Sequence, residues 1–327
     1  MNKFFKMMFF CSLIMSSILT VSAYSWLTMW IGVEINLLSM IPLMISKNNN
    51  YSSESSMKYF LIQSMASTLM IFSITMLEKN HLNSLMFEVL LQISILMKLG
   101  VAPVHWWLPE VMEGISWMNC LVMLTWQKIA PMIMLMMTLK NSIWVNATII
   151  LSSLVSGIQG LNQISMRKIL AYSSINHMAW MLMSMMSSSW IWYIYFIVYS
   201  VSNLILILYL NYMKIYFINQ INILKNNKIY SMMMILNFIS LSGIPPFIGF
   251  LPKWLTIHYT MKISMIMPVI LIISSLIHTY FYMRIIMPTL MMKVKESKLK
   301  NLNIYKSKIM MLNVIFLFSL PLTNLMY

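Results

Sequence analysis

The chain has 327 residues, 60% of them hydrophobic and 9% charged, with a net charge of +15 and a mean hydropathy of +0.78. An average soluble domain carries roughly 25% charged residues. This chain cannot coat a soluble globule, so a soluble enzyme, a disordered chain and a nucleic-acid binder are excluded. An all-α polytopic membrane protein remains, with its surplus lysines anchoring loops.

Crossing a bilayer takes about 20 mostly apolar residues. Runs of that kind predict about eleven spanning helices, at 5–23, 25–45, 57–77, 84–103, 115–139, 143–161, 169–186, 190–213, 230–250, 263–286 and 309–326. The first imitates a secretory signal: Lys3 and Lys6 precede an apolar run that ends in Val21-Ser22-Ala23. In an organelle-encoded chain it is simply the first spanning helix, and that is the reading adopted. The loops sort by charge. Sixteen Lys and Arg residues fall on the side of the N-terminus, and three (Lys79, Lys140, Lys262) on the other. By the positive-inside rule the N-terminus lies inside, which is the matrix if the membrane is mitochondrial, and the C-terminus outside. Residues 293–308 form a basic loop with six lysines and Glu296. Such a loop suits anionic phospholipid headgroups or an acidic partner subunit.

An internal repeat divides the chain. Residues 99–110 read Leu-Gly-Val-Ala-Pro-Val-His-Trp-Trp-Leu-Pro-Glu, and residues 242–253 read Ser-Gly-Ile-Pro-Pro-Phe-Ile-Gly-Phe-Leu-Pro-Lys. At a constant offset of 143, Gly100, Pro103, Leu108 and Pro109 meet Gly243, Pro246, Leu251 and Pro252, while Glu110 falls opposite Lys253. The segments lie in the fourth and ninth predicted helices and so run in opposite directions. Paired Gly/Pro-interrupted helices of opposite sense mark inverted-repeat transporters, whose sites lie at the breaks. The expected organisation is antiporter-like: an inverted repeat of two five-helix bundles with two broken helices. The first bundle is 1–139, broken near 99–110; the second is 140–286, broken near 242–253; a basic loop and C-terminal helix follow in 287–327.

Met is abundant, at 40 residues, and Gly scarce, at 7. This pattern suits a mitochondrial genome in which an extra A/T-rich codon reads as Met. Cys11 and Cys120 stand alone in apolar stretches, offer neither a disulfide framework nor a metal site, and are expected as small buried residues.

Ionisable side chains at bilayer depth cost about 2.5–3.5 kcal/mol each and are functional candidates by default. Four qualify: Glu34 in the second helix, Lys98 just before the first break, Lys128 near the centre of the fifth helix, and Lys253 after the second break. Burial favours the neutral amine and a nearby carboxylate favours the ammonium. Moving a Glu–Lys pair together or apart therefore loads or releases a proton. The expected pair is Glu34 with Lys98; Lys128 is the central carrier and Lys253 the distal one. Pro131 lacks an N–H and frees the Gln127 carbonyl beside Lys128. The competing reading has the lysines snorkel to the membrane edge. His105 and His177 are weaker candidates for the same path, as is His278. Glu110 and Glu113 are expected at the interface. No His pair at haem or copper spacing, Gly-rich phosphate loop or dinucleotide fingerprint appears. Energy for uphill pumping must therefore come from elsewhere.

Several motifs then occur in one order: Gly32-Val-Glu34-Ile-Asn36, Lys98-Leu-Gly-Val-Ala-Pro-Val-His-Trp-Trp-Leu-Pro-Glu110, Gln127-Lys-Ile-Ala-Pro131, Leu161-Asn-Gln-Ile-Ser-Met-Arg-Lys-Ile-Leu-Ala-Tyr-Ser-Ser174 and Leu241-Ser-Gly-Ile-Pro-Pro-Phe-Ile-Gly-Phe-Leu-Pro-Lys-Trp254. Over about residues 24–285 the chain resembles the NADH dehydrogenase subunit 2 family, mitochondrially encoded antiporter-like subunits of respiratory complex I (NADH:ubiquinone oxidoreductase). The resemblance implies a multi-pass place in the mitochondrial inner membrane, among other membrane-arm subunits, related antiporter-like subunits and phospholipids. It implies coupling of ubiquinone reduction to proton translocation, with Glu34, Lys98, Lys128 and Lys253 on the path. NADH, FMN, the iron–sulfur clusters and ubiquinone would be handled by other subunits, with no cofactor in this chain. Ser242 replaces a frequent Gly at the second break, and Asn176 and Ala179 replace small residues usual around His177. The residues alone leave two other readings open: a stand-alone cation/proton antiporter, and a structural subunit braced by buried charges.

Overall fold

The computed structural model describes residues 3–46, 49–79, 84–139, 143–221 and 228–291. Among them are thirteen α-helices: α1 (Lys3–Ser22), α2 (Trp26–Met44), α3 (Asn50–Lys79), α4 (Ser84–Leu99), α5 (Trp107–Gly114), α6 (Trp117–Leu124), α7 (Trp126–Thr138), α8 (Ile143–Leu161), α9 (Met166–Ser187), α10 (Ser189–Met213), α11 (Lys228–Ser242), α12 (Phe250–Thr260) and α13 (Ile266–Met291). No strand occurs among the described residues; an isolated bridge joins Ser165 to Phe217. Among the described residues, seven helical stretches are long and apolar enough to cross a membrane: Phe4–Ser22, Trp26–Met44, Asn50–Lys79, Trp117–Thr138, Ile143–Leu161, Ser189–Met213 and Ile266–Met287.

Each of the first ten expected spans contains helix, with three physical differences. The fourth and ninth stop early, at Leu99 and Ser242, and resume as the separate short helices α5 and α12. The fifth is interrupted at Thr125, whose hydroxyl bonds back to the Leu121 carbonyl at 2.7 Å. The seventh, α9, holds Ser, Asn and His among its apolar residues, and every residue from Ile169 to Met185 is buried. A helix enclosed by protein need not be uniformly apolar. The expected helix 309–326 and the lysines of 293–308 lie outside the described residues.

Local chemistry sets the boundaries. Ser25 caps α2 by accepting from the Thr28 amide. Ser188 separates α9 from α10 in extended conformation and accepts from the Ile191 amide. Lys214 ends α10 in the left-handed region, at φ 55°.

The chain forms two compact units, one up to Thr148 and one from Ile149. In the first, α1 crosses α2 at Gly32, where a Cβ would lie 2.5 Å from the Thr20 methyl and 3.1 Å from the Ser16 carbonyl. The Trp126 indole donates to Ser17 of α1 at 3.2 Å, and the Trp30 indole to the Ser67 carbonyl of α3 at 3.1 Å. The signal-like segment is therefore packed against α2 and α7. Cys120 is buried as expected, but Cys11 is exposed, because it lies on the face of α1 turned away from α2 and α7. In the second unit α9 is the axis, with α10, α12 and α13 packed around it.

Candidate functional site

Each unit carries one helix break. Gly100 and Gly243 both have positive φ, 70° and 78°, which a side chain resists. The Gly100 amide donates to the Met97 carbonyl and the Val101 amide to Leu96. This double bond pattern closes a helix on a left-handed glycine. At the offset of the repeat, the Gly243 amide donates to the Ser240 carbonyl. The following helices start at matching places, Trp107 and Phe250, each behind a matching turn: Leu108 to the His105 carbonyl, and Leu251 to Ile248.

A helix end inside a membrane leaves carbonyls that need partners. At the end of α4, the Trp107 indole donates to the Met97 carbonyl at 3.1 Å and the Gln63 amide to that of Lys98 at 3.2 Å. At the end of α11, the Lys253 ammonium donates to the Ser242 carbonyl at 2.7 Å. Cations are favoured at helix C-termini, where the dipole is negative. The same ammonium lies 5.8 Å above the Trp180 ring, within cation–π range.

Lys98, Lys128 and Lys253 are 6%, 2% and 6% exposed. None snorkels; all three end inside the protein. Glu34 is half-buried, with Oε2 enclosed and without a hydrogen-bond partner among the described residues. It lies within electrostatic reach of Lys98 and Tyr59. Lys98 Nζ also has no hydrogen-bond partner there, so the expected pair is coupled through space without touching.

Lys98 and Lys128 line one cavity together with Asn36, Tyr59, Gln63, Trp107 and Gln127. Its free space of about 20 Å³ holds about one water molecule. Two amides close its wall: Asn36 Nδ2 donates to Gln127 Oε1 at 3.0 Å, and Gln127 Nε2 donates to Asn36 Oδ1 at 3.1 Å. Reading charges alone passes over Asn36, Gln63, Gln127 and Tyr59. The available signal was an amide inside an apolar run, two residues after Glu34 in one helix and one before Lys128 in another.

The histidines take separate places. His105 Nδ1 sits 3.1 Å from the Pro103 carbonyl inside the first break. His177 Nδ1 is 3.0 Å from the Tyr195 hydroxyl, and its ring lies 5.1 Å from that of Tyr199. His278 Nε2 is 3.0 Å from Ser156 Oγ, and this histidine is within electrostatic reach of Lys253. Glu110, opposite Lys253 in the repeat, points outward instead and pairs with Lys58 at 2.9 Å; Lys58 also holds Glu54 at 2.9 Å. Among the described residues, no three His, Cys, Asp or Glu gather as metal ligands. What the arrangement offers chemically is amines, a carboxylate and a cavity of mixed polar and apolar lining: groups able to bind a proton.

A family profile described as NADH:quinone oxidoreductase/Mrp antiporter, TM, matches residues 23–279. The NADH-ubiquinone oxidoreductase chain 2 of Anopheles gambiae is 41% identical over 97% of this chain and 95% of its own length. That of Locusta migratoria is 41% identical over 90% of this chain and 88% of its own. In fold, a chain of respiratory complex I from Thermus thermophilus superposes with a TM-score of 0.89 at 19% identity, covering 99% of this chain and 80% of that one. A chain of the Mrp complex from Dietzia sp. DQ12-45-1b gives a TM-score of 0.74 at 15% identity, covering 84% of this chain and 58% of that one. The chain thus belongs to the NADH:quinone oxidoreductase/Mrp antiporter family and, within it, to the family of the NADH-ubiquinone oxidoreductase chain 2 proteins.

Proposed function

We propose that this chain is a membrane-arm subunit of respiratory complex I in the mitochondrial inner membrane, and that it couples electron transfer from NADH to ubiquinone to proton translocation. The observation that carries the proposal is the pair Lys98 and Lys128, buried in an apolar chain and lining one small cavity with Asn36, Gln63 and Gln127. Burial of two amines in such a place is costly and marks them as functional candidates.

In this reading Glu34 sets the charge of Lys98, Lys98 exchanges a proton with Lys128 through the cavity, and Lys253 is the distal carrier in the second unit. A rearrangement driven by electron transfer moves Glu34 relative to Lys98 and so changes which protonation state is favoured. Moving one charge against 100 mV takes about 2.3 kcal/mol, and the redox reaction supplies it. NADH, FMN, the iron–sulfur clusters and ubiquinone then belong to other subunits of the enzyme. The partners are membrane-arm subunits, related antiporter-like chains among them, and phospholipids. His105 and His177 are the weaker candidates for the path.

The finer architecture belongs to the same proposal: eleven spans, with an inverted repeat of two five-helix bundles centred on the breaks. The matching positive-φ glycines and matching turns support it. The sixteen-to-three division of Lys and Arg supports an N-terminus on the matrix side and a C-terminus on the intermembrane-space side.

The likeness in fold to a chain of an Mrp complex keeps a stand-alone cation/proton antiporter as the second reading. A native gel of mildly solubilised inner membranes separates the two. The complex I reading expects this chain in a large band that oxidises NADH. Migration alone or as a small oligomer would support the antiporter.

A further inference from the structure

Asn36 and Gln127 form a closed ring of two hydrogen bonds, 3.0 and 3.1 Å long, between α2 and α7. Their positions in the sequence give the ring its meaning. Asn36 is two residues from Glu34 on α2, and Gln127 adjoins Lys128 on α7. Both amides line the chamber that Lys98 and Lys128 share, and Asn36 is 3% exposed. Each amide has two N–H donors and two carbonyl lone pairs, and the ring uses one of each. The remaining donor and lone pair of each stay available to the chamber. Neither amide can carry a proton itself.

We propose that the Asn36–Gln127 pair is a clasp that holds the Glu34 helix in register with the Lys128 helix, so that proton exchange between Lys98 and Lys128 depends on it. The two are positioning residues, and the inference rests on the lysine path proposed above. While the clasp is closed, the chamber keeps its one-water size and the two amines keep a fixed separation. If α2 shifts along α7, both bonds break together, and four polar groups become available to solvate a passing proton. The clasp thereby makes the position of Glu34 and the opening of the Lys98–Lys128 chamber one event.

The test uses the assembled complex in inner-membrane vesicles, with proton uptake followed by a pH-sensitive dye during NADH oxidation. Gln127→Leu keeps the side chain's bulk and removes the clasp. Misplacing reacting groups by about 1 Å can slow a transfer about a hundredfold. The clasp therefore predicts at least about a tenfold loss of pumping per assembled complex. The exchanged double variant Asn36→Gln with Gln127→Asn keeps both amides and their combined length, and is expected to restore pumping. Asn36→Asp retains one bond and sets a carboxylate at the chamber wall. It is expected to hold Lys128 charged and move the pH profile of pumping to higher pH, in addition to the loss of pumping that the missing bond brings. Normal pumping per complex in Gln127→Leu, or no recovery in the exchanged double variant, would overturn the clasp. Lys128→Met separates this from the underlying path. Should it abolish pumping while Gln127→Leu does not, the clasp alone fails. Should Lys128→Met pump normally, the lysine path itself fails.

Discussion

Gly243 holds the second break open for a lysine. Its φ of 78° disfavours any side chain, at about 1–2 kcal/mol. A Cβ there would also stand 2.8 Å from Cδ and 2.9 Å from Nζ of Lys253. Gly243→Ala is therefore expected to pull the Lys253 ammonium off the Ser242 carbonyl as well as strain the turn. The assembled complex should melt at lower temperature and pump less per NADH oxidised; an unchanged melt would refute the geometry of this break. Lys58 offers the contrast. It bridges Glu54 and Glu110 at the surface, where side chains are 41–60% exposed, and an exposed pair contributes about 0.2–1 kcal/mol. Lys58→Gln is expected to leave assembly and pumping close to wild type, with a stability difference that shrinks further in high salt. The two residues differ in environment, and so in what their loss does.

Among the elements, α1 and α2 make a sterically demanding contact at Gly32. Gly32→Val would drive a methyl group into Thr20 and the Ser16 carbonyl, and overpacking of this kind costs about 1–3 kcal/mol. Less assembled complex and earlier loss of α1 on heating are expected, measured by protease accessibility of residues 1–25 in solubilised membranes. A variant that assembles and resists protease like wild type would contradict the contact. The long helices were legible because an apolar run of about 20 residues has few alternatives. The breaks were legible from Gly100 and Gly243 and the prolines after them, but the short helices α5 and α12 were not legible as separate elements: with 8 and 11 residues they carry no span-length signal. Nor was the interruption at Thr125, where a hydroxyl competes for the backbone inside a run long enough to span. The buried lysines could be read because a charge stands out against apolar neighbours. The amides that surround two of them could not, because their importance arises from a pairing across 91 positions that only the fold creates.

At the scale of the whole molecule, the chain has 7 acidic residues and 22 basic ones, yet three of its lysines are enclosed by protein. Enclosing amines in an apolar medium is costly, and the proposed function gives that cost a purpose. On the proposed function the buried lysines are the carriers, and the energy arrives as a conformational change from a partner. Assembly and pumping are therefore expected to be separable: the apolar packing governs the first and the buried amines the second. The most direct test is the ratio of protons translocated to electrons transferred by assembled complex carrying Lys128→Met. The removed ammonium is 2% exposed and the replacement has similar length, so assembly and NADH oxidation are expected to persist while the ratio falls. A complex that assembles normally and keeps the wild-type ratio would contradict the account.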